Sequence, residues 1–219
     1  MLNLPKSTEF NKRIPKQKFY EYAQIKPSTK KSFMEQVKII YWRNKIATTS
    51  TNLISGKNVT EIEVFEMQLY SKNLDESVLK AIDNAIPYHI IFLLRYENLQ
   101  QAWIAYKEDD KIKSYYHTEW MEDLSLTLQG LTLDEVYENF LRQIAGELLQ
   151  AEQNENAKSL KDIIEYNEQI QQLKNQIEKL EKKVKTEKQF NIQVKLNAEL
   201  KSLRKELVKL IGKNENAIG

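Results

Sequence analysis

The chain has 219 residues, 41% of them hydrophobic and 29% charged, with five Gly, four Pro and no Cys. That apolar fraction is enough for a core and excludes wholesale disorder, while the lack of cysteine excludes disulfides, thiolate metal sites and a Cys nucleophile and fits a cytoplasmic protein. The longest apolar run, residues 90–94, is far short of the ~20 needed to span a bilayer, and the first residues lack the apolar stretch of a secretory signal.

The net charge of +2 hides an uneven distribution. Residues 1–31 hold eight Lys/Arg against two acidic residues, residues 32–157 hold eleven against twenty, and the remainder holds fourteen against nine. A basic arm, an acidic body and a basic tail follow; either basic end suits phosphate contact or neutralisation of the body.

Residues 1–27 read as an irregular arm, because Pro5, Pro15 and Pro27 interrupt it, yet Leu2, Leu4, Phe10, Ile14, Phe19 and Tyr20 anchor it on the body. The spacing of Phe33, Val37, Ile40 and Tyr41 predicts a helix from about 28 to 44, with Ser32 and Glu35 as a capping box. Residues 59–69 alternate and are rich in β-branched and aromatic side chains, which predicts a strand. Asn73 and Glu76 mark the start of a short helix that Pro87 ends. The unbroken apolar run within 88–96 fits a strand buried on both faces. Turns near 97–99 and 109–110 then separate it from antiparallel strands around 102–106 and 112–120. Thr132 and Glu135 open another helix, burying Val136, Phe140, Leu141, Ile144 and Leu148.

Residues 151–158 read as a linker. Beyond it, Ile163, Tyr166, Ile170, Leu173, Ile177, Leu180 and Val184 keep a 3-4 spacing, and a second series runs through Leu196, Leu200, Leu203, Leu207 and Leu210. The phase breaks near 188–191, which predicts an antiparallel coiled-coil hairpin over 159–212 with a lysine-rich tip, followed by a flexible tail over 213–219. A homodimer through the same seam is the alternative. The expected architecture is thus α+β: a body over 28–150 with a roughly four-stranded, mostly antiparallel sheet and helices, followed by the hairpin.

Chemical motifs are sparse. No phosphate loop, dinucleotide fingerprint or Gly-x-Ser-x-Gly elbow is present, and two histidines are too few for a three-histidine zinc site. His117 has the chemistry of a general base, although a strand histidine held by a carboxylate is the commoner arrangement; His89 reads as a satisfied core residue. On the strand 59–69, Ile62 and Val64 share a face with Glu66 and Gln68, so an apolar stripe ends in polar groups that need partners if buried. Strand, helix and buried strand in that order are those of a PD-(D/E)xK nuclease core, in which Glu66 would hold Mg2+ and Gln68 would position water. Glu61, Glu63 and Glu35 are the upstream acids that could complete the set. Without that alternative no cofactor is expected. Lys12, Arg13, Lys16 and Lys18 in the arm, and Lys182, Lys183, Lys185 and Lys188 at the hairpin tip, are the candidate contacts to nucleic acid or a partner. Aromatics interleaved with the arm's lysines, and Tyr41, Trp42 and Arg43, have the chemistry for stacking on bases but more often form core and rim.

Several phrases carry a resemblance: 5–9 running into 11–16 and Phe19-Tyr20, Thr60-Glu61-Ile62 with Val64-Phe65-Glu66, 85–90, 115–120, 136–140 and 187–191. Together they resemble a bacterial family known only as a domain of unknown function. The resemblance implies a context of neighbouring helicase and restriction–modification methyltransferase genes, in clusters that look like anti-phage defence, and no catalytic residues. The expectation is a non-catalytic accessory subunit that binds a helicase or methyltransferase partner, with DNA contacts through its basic ends.

Overall fold

In the computed structural model, residues 2–22, 25–109, 111–146, 149 and 160–215 are described. They form two compact units, divided between residues 151 and 152. The expected linker over 151–158, Leu148, Asp110 and the last four residues of the expected tail lie outside the described residues.

The first unit carries β1 (Glu9–Ile14), α1 (Lys16–Tyr22), α2 (Pro27–Gln36), β2 (Val37–Ala47), β3 (Glu61–Leu69), α3 (Glu76–Ala85), β4 (His89–Tyr96), β5 (Leu99–Glu108), β6 (Lys111–His117) and α4 (Leu133–Ala145). The six strands lie side by side in chain order. All neighbours are antiparallel except β3 and β4, which α3 connects as a parallel crossover. The sheet has six strands, not four. The arm supplies β1, which pairs with β2, and the expected helix over 28–44 is instead α2 followed directly by β2. Val37, Ile40 and Tyr41 recur at helical spacing, but they are β-branched or aromatic and find ladder partners, all three on β3 and Ile40 and Tyr41 on β1 as well, so pairing overrides the helical period.

The crossover puts helices on both faces. Phe65, Met67, Phe92 and Leu94 pack with Phe33 of α2 and Val78, Leu79 and Ile82 of α3. Alternation turns Ile62, Val64, Ile91 and Leu93 to the other face, where α4 lies against β3, β5 and β6. Strands β3 and β4 are consequently buried along almost their whole length, as the apolar run predicts.

Local signals differ in how they are used. Thr132 caps α4, accepting from the Glu135 N–H at 3.2 Å, while Glu135 accepts from the Leu131 N–H at 2.8 Å, so the capping box forms one residue early on its return arm. Asp75, rather than Asn73, caps α3. Helix α2 starts at Pro27, and Ser32 Oγ donates instead to Asp75 Oδ2 at 3.1 Å. The loop between β2 and β3 is fastened to α4 by Asp134, whose carboxylate accepts the N–H groups of Lys57 (2.7 Å), Asn58 (3.1 Å) and Val59 (2.7 Å). Gly56 permits that wrap, because a Cβ there would lie 2.2 Å from Asp134 Oδ1.

In the second unit α5 (Leu160–Thr186) and α6 (Phe190–Glu215) pack on each other, reversing at residues 187–189, where the phase of the apolar series breaks. Leu180 and Leu200 are buried in the seam, and Tyr166 Oη donates to the Leu210 carbonyl at 3.2 Å across it. The two helices thus pair within one chain, as the hairpin reading expects. Helix α6 runs three residues past the expected end at 212. No helix of the described residues is long and apolar enough to cross a membrane.

Candidate functional site

Strand β3 carries three buried carboxylates, and its alternation sends them to opposite faces. Glu66 points to the α4 side, together with Ile62 and Val64 as the sequence pattern requires. Its oxygens are taken by two arginines: Arg43 Nη2 lies 2.8 Å from Oε1, Arg43 Nε donates to Oε2 at 3.2 Å, and Arg95 Nε lies 3.3 Å from Oε2. Arg43 reaches this face from β2 where a register shift interrupts the ladder between Trp42 and Asn44. Leu2, Leu4, Arg43 and Glu66 help line a cavity of about 130 Å³ beside the cluster. Both oxygens of the Glu66 carboxylate thus have a guanidinium nitrogen beside them, a charge-assisted pairing. Gln68 follows at a half-buried position with Ile39 and Arg95 as ladder neighbours.

Glu61 and Glu63 point to the other face. Lys45 Nζ lies 2.7 Å from Glu61 Oε2, and Trp42 Nε1 donates to Glu63 Oε2. The second oxygen of each carboxyl, Oε1, is buried and receives no N–H or hydroxyl from any other residue. The two carboxyl groups hydrogen-bond to each other, which requires one proton between them. Burial, and after it the neighbouring Glu61, push Glu63 up to about 9, whereas Glu61 is held below the ordinary carboxylate range by Glu63 and Lys45 against the opposing effect of burial. Lys45 is raised in return by its bond to Glu61. At neutral pH the pair therefore shares one proton and carries one negative charge beside one ammonium.

A further buried acid lies on α3. Asp83 accepts from Tyr115 Oη and lies 3.0 Å from Lys107 Nζ, which also donates to the Tyr88 carbonyl at 3.0 Å. Burial raises Asp83, with Lys107 opposing, and burial also raises Tyr115. His117 is absorbed elsewhere: its ring stacks on Trp103 at 4.4 Å, and Nδ1 lies 3.0 Å from the Thr118 carbonyl and 3.3 Å from Gln101 Nε2, so an amide and a carbonyl stand where a carboxylate was expected. His89 is buried against Tyr137, ring centroids 4.4 Å apart.

Among the basic candidates, Lys12, Arg13 and Lys18 are exposed along β1 and α1. Lys12 Nζ sits 4.3 Å from the centre of the Phe10 ring, and Phe10 packs on Trp42 at 4.0 Å. Lys16 turns inward. Its Nζ donates to the Val37 carbonyl at 2.7 Å and the Phe33 carbonyl at 3.5 Å, closing the C-terminal end of α2, and desolvation lowers its pKa. At the hairpin tip Lys182, Lys183, Lys185 and Lys188 are exposed, with Lys182 paired to Glu178 at 2.6 Å one turn away.

Sequence reasoning weighed Glu61 and Glu63 only as upstream acids for Glu66 and passed over Asp83. Both had a signal: residues two apart on a strand share a face, and Asp83 stands four residues after Leu79 on the buried side of α3. Among the described residues no group of three or more Asp, Glu, His or Cys side chains is arranged to hold a metal ion.

No curated protein and no solved structure matches this chain. A family model matches across residues 2–207, nearly the whole length. The chain belongs to the family described as a domain of unknown function, DUF4391.

Proposed function

We propose that this protein is a non-catalytic accessory subunit that grips a polyanion, double-stranded DNA being the intended one, through the sheet edge formed by β1 and the adjoining α1 and α2. One observation supports the reading above all others. Because the strands lie in chain order, the sequence's charge asymmetry becomes a spatial one: residues 1–45 hold eleven Lys/Arg against three acidic residues, and residues 46–151 hold eight against seventeen. The edge is basic and the opposite half of the sheet acidic. Such a dipole orients a molecule on a phosphate backbone while its acidic half repels the same backbone, which favours edge-on contact over wrapping. The acidic half is then free for a protein partner. On the family resemblance that partner is a helicase or methyltransferase of an anti-phage defence cluster. The lysines of the hairpin tip form a second basic element on the other unit.

The test is fluorescence anisotropy of a labelled duplex against the intact protein across a salt series. Binding should fall steeply between about 50 and 200 mM salt, and Lys12→Ala with Arg13→Ala and Lys18→Ala should flatten the log–log slope by roughly 2–3. A slope untouched by those substitutions, or no binding at the low-salt end, overturns the reading. Loss of slope on substituting Lys182, Lys183, Lys185 and Lys188 instead would move the contact to the hairpin.

A further inference from the structure

The two helices of the second unit present unequal outer faces. Five of the ten exposed large apolar side chains among the described residues, Phe190, Ile192, Val194, Val208 and Ile211, lie on α6, and none lies on α5. A lone exposed apolar residue is ordinary, but four of these share a register. From Phe190 the series runs through Val194, Asn197, Lys201, Arg204 and Val208 to Ile211 at 4-3 spacing, three heptads long. It lies one residue on from the inner seam of Leu196, Leu200, Leu203, Leu207 and Leu210, so α6 carries a second stripe beside the one that α5 fills. A shallow groove of about 640 Å³ follows it, lined by Leu200 and Val208 with Lys201, Arg204, Lys205 and Lys209, and by no acidic residue. Glu206 lines a separate depression with Gln169, Gln172 and Gln176 of α5. Arg204 is tied to Glu181 at 2.7 Å, whereas Lys201, Lys205 and Lys209 form no ion pair among the described residues.

We infer that this stripe is the docking site for an acidic amphipathic helix of a partner protein, which lays its apolar face along α6 as a third helix beside the hairpin. Spacing and charge each point to that occupant. A sustained 4-3 repeat matches the side-chain rows of another helix and not an extended peptide, whose period is two. Phe190, Val194, Val208 and Ile211 supply the apolar anchors, and the lysines between and beside them match carboxylates on the incoming helix. A second copy using the same stripe would set these lysines against an identical set, and like charges across an interface oppose association. A phosphate backbone would satisfy the lysines and leave the four apolar side chains in water, so duplex DNA fits the stripe poorly. The inference stands independently of polyanion binding by the sheet edge, which uses none of these residues.

The probe is a fluorescein-labelled synthetic helix of about three heptads, with Leu at a and d and Glu at e and g, whose own like charges keep it from pairing with itself. Titrated with the intact 219-residue protein and followed by anisotropy, it should bind at micromolar concentration, and the same peptide with Lys in place of Glu should not. Lys201→Glu with Lys205→Glu should weaken binding about tenfold or more, as should Val194→Ser with Val208→Ser. All four positions are exposed, so both variants should keep the parent's circular-dichroism melt. Lys12→Ala with Arg13→Ala and Lys18→Ala should leave peptide binding unchanged, which separates this site from the sheet edge. No binding at about 100 μM protein, equal binding of the acidic and basic peptides, or equal binding by the folded α6 variants would overturn the inference. So would a dimer of the free protein that Val194→Ser with Val208→Ser disperses, which would give the stripe to a second copy, or a DNA duplex that displaces the peptide from Lys201 and Lys205.

Discussion

The two faces of β3 hold the same chemical group under opposite regimes. On the α4 side Glu66 is matched in charge by Arg43 and Arg95, and Arg43 donates to both of its oxygens. On the α3 side Glu61 and Glu63 sit two residues apart with a single ammonium, and each keeps a buried oxygen without a donor from outside the pair. Burial is similar on both sides. What separates the two faces is the number of donors that the neighbouring strands supply. Arg43 and Arg95 come from β2 and β4, which flank β3, whereas the other face receives Lys45 and Trp42 from β2 and no basic residue from β4.

Removing Glu66 should have the largest effect. Glu66→Ala strands two partly buried guanidinium groups and is expected to cost about 3 kcal/mol, read as a fall in denaturant midpoint at constant m-value. A change below about 0.5 kcal/mol would put Glu66 among solvated surface pairs and erase the contrast between the faces.

Glu63→Gln should act in the opposite direction. The folded value of Glu63 is about 9, above the ordinary 4.5. A carboxyl raised on folding contributes stability in full below its unfolded value and loses it as pH rises toward the folded one. The parent should therefore weaken from pH 5 to pH 9, whereas the depressed Glu61 adds stability that is lost only below about pH 4.5 and does not change across that range. The variant should be about 2 kcal/mol more stable than the parent at pH 8 and equal to it at pH 4.5, measured by chemical denaturation. A parent profile flat between those pH values would show that the pair is solvated.

Gly56→Ala tests the loop that leads into β3. A Cβ would meet Asp134 Oδ1, so the carboxylate must withdraw from three N–H groups, at about 2 kcal/mol. Faster hydrogen exchange at Lys57, Asn58 and Val59 would confirm the mechanism, and unchanged exchange would refute it. Smallest is Lys182→Ala at the hairpin tip, where the i, i+4 pair with Glu178 is solvent-exposed and the melt should barely move.

How much of this was legible in the sequence depended on the range of the interactions. The hairpin was readable down to its turn, since a heptad seam and its phase break are local signals and Leu180 and Leu200 fall inside as the spacing requires. The buried strand β4 and the shared face of Ile62, Val64 and Glu66 were readable for the same reason. Strands β1 and β2 were not: Phe10 sits in a proline-flanked arm and Ile40 at helical spacing, and only pairing with each other and with β3 makes them strands. The site was less legible still. That Glu66 needs a partner follows from its face, but Arg43 and Arg95 lie 23 and 29 positions away, and a register shift in β2 lets Arg43 reach that face. Trp42 reaches one oxygen of Glu63 by a similarly distant contact.

The strand order has a consequence for biosynthesis. Every strand after the first pairs with its immediate predecessor in the chain, and the sole crossover spans one short helix. A nascent polypeptide leaving the ribosome can therefore add each ribbon to an already assembled template, never waiting for a distant segment to be translated. Closure distances stay short throughout, which favours rapid acquisition of the native state for a sheet of this width.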